Sequence, residues 1–166
     1  EILEEMPERG LAGVRAICQG LSAYEPNKEA FGKIERHNDI GYPSVLMFTD
    51  ANTEDVVSDP NGYHWNENSL DNSDRTYTSY ESQMVWNDHY NAIYVANTVI
   101  KGYNTGEDPT NEEARFFYAQ GLAARAYFYF NLAQLYQFTY KDNETKPCIP
   151  VVTDENTAKS QVEGTP

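Results

Sequence analysis

One run constrains this chain more than any other: Asn111-Glu-Glu-Ala-Arg-Phe-Phe-Tyr-Ala-Gln-Gly-Leu-Ala-Ala-Arg-Ala-Tyr-Phe-Tyr-Phe-Asn-Leu-Ala-Gln-Leu-Tyr136. It reads as a long helix with aromatic residues around much of its circumference. A surface helix needs a single apolar stripe, so one that is apolar on more than one side must have neighbours on several sides. Helical repeats and multi-helix bundles provide that setting. The run then breaks through a polar loop, Lys141 to Lys146, into the short apolar exit Pro147-Cys-Ile-Pro-Val-Val152.

A second helix is predicted just before it, from Ser79 to Tyr103. Trp86, Tyr90, Ile93, Asn97 and Ile100 recur at alternating spacings of four and three, which places them on one face. That spacing marks Trp86 as a core residue. Met84, Tyr94 and Val95 form a second stripe. Gly102 and Gly106 punctuate the exit, and Pro109 precedes a capping box, Thr110-Asn-Glu-Glu113. On the long helix, Phe117, Gly121, Ala124, Phe128, Leu132 and Leu135 share a stripe. Gly121 and the alanines at 119, 123, 124 and 126 let another backbone approach closely. Arg115 and Arg125 read as structural, with at least one of them neutralising buried acidic or carbonyl groups. The pair has the size of a solenoid unit. Ala124-x-x-x-Phe128 fits the second helix of a tetratricopeptide repeat, but the signature of the first helix is missing, so the repeat is degenerate.

Further upstream, Leu3, Met6, Leu11, Val14, Ile17, Cys18 and Leu21 predict a helix from Ile2 to Tyr24 that becomes regular near Gly10. Tyr42-Pro-Ser-Val-Leu-Met-Phe48 fits either an extended segment or a short helix opening at Pro43. The helix is preferred because proline is welcome in a first turn. Between Thr49 and Thr78 lies a long irregular loop. Loops beyond roughly 12–15 residues are usually functional or disordered. Tyr63, His64, Trp65 and Tyr77 within it argue against plain disorder. The expected class is therefore all-α: a bundle or solenoid of tetratricopeptide-like helix pairs, with a long loop between the first and second main helices. Residues 1–153 are expected to form the helical domain, and 154–166 a polar tail.

Composition narrows the function. With 26 acidic against 12 basic residues the net charge is −14, which repels phosphate backbones and anionic membrane surfaces and argues against nucleic-acid binding. Solubility alone accounts for such acidity, and acidic, Asn/Tyr-rich surfaces suit polyhydroxylated ligands and divalent cations alike. Cys18 and Cys148 allow neither CxxC chemistry nor a multi-cysteine metal site. They fit small buried apolar residues better than a disulfide. The first residues read as helix rather than as a basic leader, and no segment approaches the ~20 apolar residues of a membrane span. The chain is expected to be a piece of something longer.

Three blocks, in order and at matching spacing, resemble the SusD/RagB family of nutrient-binding outer-membrane lipoproteins of Bacteroidota. Trp86-Asn-Asp-His-Tyr-Asn-Ala-Ile-Tyr-Val-Ala-Asn97 is similar to its W-x3-Y-x2-I-x3-N helix. Ala114 to Tyr127 is similar to its E-A-x-F-x-R-A-x-x-Y helix. Leu132-Ala-Gln-Leu-Tyr136, running to Cys148-Ile-Pro-Val-Val152, is similar to its exit. The family's glycine after that tyrosine is Gln137 here, and the following loop is longer. The resemblance implies a non-catalytic cell-surface protein, held to the membrane only by a lipid anchor this chain lacks. Its partners would be a glycan or other nutrient and a SusC-like TonB-dependent transporter.

Sugar recognition needs flat aromatic faces for the CH side of a ring and amide, carboxylate or guanidinium groups at its edge. The long loop supplies both types, with Tyr63, Trp65 and Asn66 beside Asp50, Asn52 and Arg75. These six are the expected ligand residues, although Trp65 serves equally well as the loop's own small core. Asp50-x-Asn52-x-Glu54-Asp55 starts like a calcium loop but has Asp55 and Asn61 where the EF-hand needs Gly and Glu, so it fails as an EF-hand; no cofactor is expected, a solvated acidic loop is the default, and a structural calcium site of another geometry is the minor alternative. No GxSxG, HExxH or P-loop is present, and His37, His64 and His89 are scattered. The alternative to glycan capture is a protein-interaction scaffold that binds through a concave helical face.

Overall fold

The computed structural model describes residues 10–12, 14, 41–53, 75–103 and 112–153. Three helices have described bounds: α1 (Tyr42–Ala51), α2 (Tyr80–Tyr103) and α3 (Glu112–Tyr136). Among the described residues there is no strand, and the protein is all-α. The described positions between 10 and 14 are helical too, as expected for the first helix. The rest of that helix lies outside the described residues. The chain divides into two compact units, one of Glu1–Val14 with His89–Pro166 and one of Arg15–Asp88, so α2 contributes to both.

In the second unit, α1 opens as its sequence dictates. Gly41 precedes it at φ 88°, ψ −148°, a conformation suited to glycine, and Pro43 occupies the first turn. No side chain caps this end; the Gly41 carbonyl accepts from Ser44 N at 2.8 Å and Val45 N at 3.3 Å. Ser44, Val45, Phe48 and Ala51 form the buried face. The helix thus runs three residues past Phe48, because Ala51 continues the buried stripe, and Thr49 and Asp50 are helical rather than loop residues. The start of α2 is built by Ser79, whose Oγ accepts from Ser82 N at 3.2 Å and donates to Ser82 Oγ at 2.9 Å. Glu81 in the first turn complements the positive end of the helix. Met84 and Val85 are buried, whereas Trp86 is only half-buried.

In the first unit, α2 and α3 pack antiparallel. Tyr103 stacks on Phe117 with centroids 5.6 Å apart, Asn97 meets Arg125, His89 meets Phe128 edge-on at 5.6 Å, and Tyr90 meets Tyr129 at 6.4 Å. Small residues permit this closeness. A Cβ on Gly121 would stand 3.0 Å from Ile100, 3.2 Å from Val99 and 3.4 Å from the Ala96 carbonyl. One on Gly10 would stand 2.5 Å from Val99 Cγ2, a distance that real Cβ atoms do not reach. Ala92, Ile93, Ala96, Val99, Ile100, Phe128 and Leu132 are buried at or near zero exposure and form the core here. Leu135, expected on the same stripe, is exposed.

Gly10→Ala gains helix propensity but forces a methyl into the stiff, β-branched Val99. We expect it to destabilise the protein by about 1–2 kcal/mol in urea unfolding. Val99→Ala opens room for the methyl. The loss in the double variant should therefore fall short of the sum of the two single losses. A strictly additive result would show that Gly10 does not rest on Val99.

Candidate functional site

Asn52 ends α1 and does so with all of its polar groups. Its Nδ2 donates to the Phe48 carbonyl at 2.7 Å and its backbone N–H to Phe48 and Thr49 carbonyls at 3.2 Å each. The remaining acceptors go to Arg75: Nε donates to Asn52 Oδ1 at 2.8 Å and Nη2 to the Asn52 carbonyl at 2.7 Å. Two residues distant by 23 positions are thus latched together. The latch ties both feet of the segment between them, and that segment carries Tyr63, Trp65 and Asn66. The guanidinium also places a fixed positive charge on the amide oxygen that a cation would need. Among the described residues no cluster of His, Cys, Asp and Glu could hold a metal ion.

Of the six expected ligand residues, the structure brings Asn52 and Arg75 into contact. Asp50 lies beside them on the last turn of α1, exposed, its backbone carbonyl accepting from Thr53 Oγ1 at 2.6 Å. Tyr63, Trp65 and Asn66 lie outside the described residues, as do Glu54 and Asp55 of the acidic run.

The second arrangement, which sequence reasoning did not anticipate, is the clamp on the exit segment in the first unit. Tyr129 Oη donates to the Val152 carbonyl at 2.7 Å and accepts from Val152 N at 2.5 Å. One hydroxyl thereby does for a single extended residue what a neighbouring strand would do. Asn97 Nδ2 donates to the same carbonyl at 3.0 Å, and Asn97 Oδ1 accepts from Arg125 Nη1 at 3.0 Å. Tyr90 Oη donates to the Pro150 carbonyl at 2.7 Å. Arg125 thus has the structural role expected of it, while Arg115 is exposed. Ile149 is buried, and Cys148 carries a free, half-buried thiol rather than a disulfide. Burial pushes the Tyr90 phenol well above its ordinary value, helped by Tyr129 and Cys148. Burial also raises Tyr129, against the opposing pull of its Val152 hydrogen bond and of Arg125.

Beside the clamp, α3 and the exit segment enclose an open groove of about 790 Å³. Ala126, Tyr129 and Ala133 line it from the helix, and Cys148, Ile149 and Val151 from the exit segment. Phe130, Phe138 and Tyr140, exposed at 62%, 67% and 78%, also line it, together with Gln134, Gln137 and Thr139. Lys146 Nζ sits 4.7 Å from the Phe138 ring centroid and fixes that ring from one face. The sequence signal for this site was the ring of aromatics around the long helix, which exceeds what a packed stripe requires.

The chain matches, over residues 39–165, the SusD-like family described as starch-binding and associating with the outer membrane. It belongs to that family. No curated protein and no solved structure matches it. No helix of the described residues is long and apolar enough to cross a membrane.

Two outcomes follow from this geometry. Arg75→Ala removes both ties to Asn52 at an exposed position, so the global stability loss should stay below about 1 kcal/mol. Limited proteolysis between residues 54 and 74 should nevertheless accelerate, and an unchanged cleavage rate would show the latch to be idle. For the clamp, the sign is set by the raised phenols. Below the ordinary phenol value near 10 both states are protonated; above it the unfolded chain releases protons that the folded chain keeps, so stability falls as pH rises. Thermal melts should be level up to about pH 9 and decline beyond about pH 10. Tyr129→Phe should cost about 1–2 kcal/mol at neutral pH. Tyr90→Phe with Tyr129→Phe should flatten most of the alkaline decline.

Proposed function

We propose that this protein captures a glycan on the extracellular face of the outer membrane and passes it to a SusC-like TonB-dependent transporter, without catalysing a reaction. The observation that carries the reading is the match to a starch-binding, outer-membrane-associated family over residues 39–165. The Asn52–Arg75 latch supports it. Arg75 engages Asn52 through Nε and Nη2, and the loop between the two residues is anchored at both feet. Tyr63 and Trp65 supply stacking faces within that loop, and Asp50, Asn66 and the remaining Arg75 donors supply hydrogen-bonding edges. Anchoring lowers the ordering cost of binding, since the loop's ends are already fixed before ligand arrives.

A scaffold reading draws on the exposed aromatics of α3, Phe116, Tyr127 and Phe130. Glycan capture is preferred because amides accompany the aromatics in both candidate areas and the family is described by its ligand. Calorimetry against a glycan panel, on the chain and on Trp65→Ala, tests the reading. Binding that weakens about tenfold or more in Trp65→Ala, with the melt unchanged, is the expected result. No binding to any glycan by the parent chain would leave the scaffold reading in its place.

A further inference from the structure

The groove beside the clamp has the composition of a ligand site and lies outside the loop just described. None of its lining side chains is charged, in a chain whose net charge is −14. The charge beside it is the Lys146 ammonium, already placed over the Phe138 ring, and an anion would meet repulsion from the chain as a whole. An aliphatic helix would leave the amides of Gln134 and Gln137 unmatched on burial. A neutral pyranose chain matches both halves of the lining. Its CH faces stack on Phe130 and Tyr140, and its hydroxyls meet the two amides and the Thr139 hydroxyl. The volume, about 790 Å³, falls in the ~300–1,000 Å³ range of small-molecule sites. The support is rigid: the helix provides one wall, and the other is an exit segment held at Val152 by Tyr129 and Asn97 and at Pro150 by Tyr90. Ala126 and Ala133, one on either side of Tyr129 and Phe130 along the helix, leave space for a ring to lie flat.

We infer that this groove is a second glycan site, specific for neutral pyranose oligosaccharides, built on α3 and the exit segment and independent of the long loop. The inference rests on the glycan reading above and extends it to a second place on the same chain. Two sites on one chain raise the effective concentration of a polymer at the surface, so that a strand leaving one is retained by the other.

Cys148 lines the groove and reports its occupancy. With Cys18→Ser in the full chain, alkylation of Cys148 is followed with maltoheptaose, cellohexaose and the anionic hexagalacturonate, and binding is measured in parallel by calorimetry. Where a neutral oligosaccharide is present at about ten times its Kd, alkylation should slow by about tenfold, because only the empty fraction reacts. Hexagalacturonate should leave it unchanged. Phe130→Ala and Tyr140→Ala, both at exposed positions, should each weaken the protecting sugar about tenfold with unchanged melts. Trp65→Ala should leave the protection intact. Glycan binding without protection of Cys148, insensitive to Phe130→Ala and Tyr140→Ala, would overturn the second site while leaving glycan capture through the loop. Protection that rises with protein concentration instead of sugar would assign the groove to a second copy of the chain and overturn the inference. No binding by any oligosaccharide would overturn both readings together.

Discussion

The structure of the first unit depends on how the backbone of Val152 is held. A residue leaving a helical pair has no strand to complete its hydrogen bonds, and buried backbone groups without partners are costly. Here Tyr129 meets both the N–H and the C=O of Val152, and Asn97 adds a second donor to the carbonyl. Neither donor is free to turn. Asn97 is oriented by Arg125, and Tyr129 packs edge-on against Tyr90, which itself holds Pro150. The two helices and the exit segment therefore form one cooperative network, in which removing any member leaves another polar group buried without its partner.

That network can only form if α2 and α3 approach closely and in one register. Gly121 sets the approach and the ring contacts set the register. Tyr103 on Phe117 at one end and His89 on Phe128 at the other leave Asn97 opposite Arg125. A slip of one turn would carry Asn97 away from Arg125 and place side chains where Gly121 now gives room. Packing of small residues thus decides which polar groups meet, and the polar groups in turn fix where the exit segment runs.

Much of this was legible in the sequence. Pro43 announced α1, the spacing from Trp86 to Ile100 announced α2, and Gly121 a close approach between the pair. The family resemblance rested on residues that the structure joins physically: Asn97, Arg125 and Val152 come from three separate blocks. Other readings held only in part. Helical spacing placed Trp86 in the core, where it is half-buried and less enclosed than the neighbouring Met84 and Val85. Periodicity carried Leu135 inward, although its neighbour Leu132 on the same stripe is fully buried and Leu135 itself is exposed. Asn52 and Arg75 were grouped for their chemistry alone. That they bond to each other follows from chain geometry across 23 positions, which spacing cannot convey.

The aromatic surplus on α3 has a physical reason to be separable from folding. Phe128 and Leu132 are fully buried and hold the helix against α2, while Phe130 between them along the chain stands out into solvent. Two residues of offset on a helix is about 200°, so inward and outward positions alternate within a single turn without competing for space. The outward residues can change without opening the core, and the core can be repacked without moving the groove. Only Tyr129 is shared, because it is at once the hydroxyl that holds Val152 and part of the groove's lining. A ligand in the groove would rest on a residue whose orientation the fold already enforces, which is the condition under which stacking contributes most to affinity.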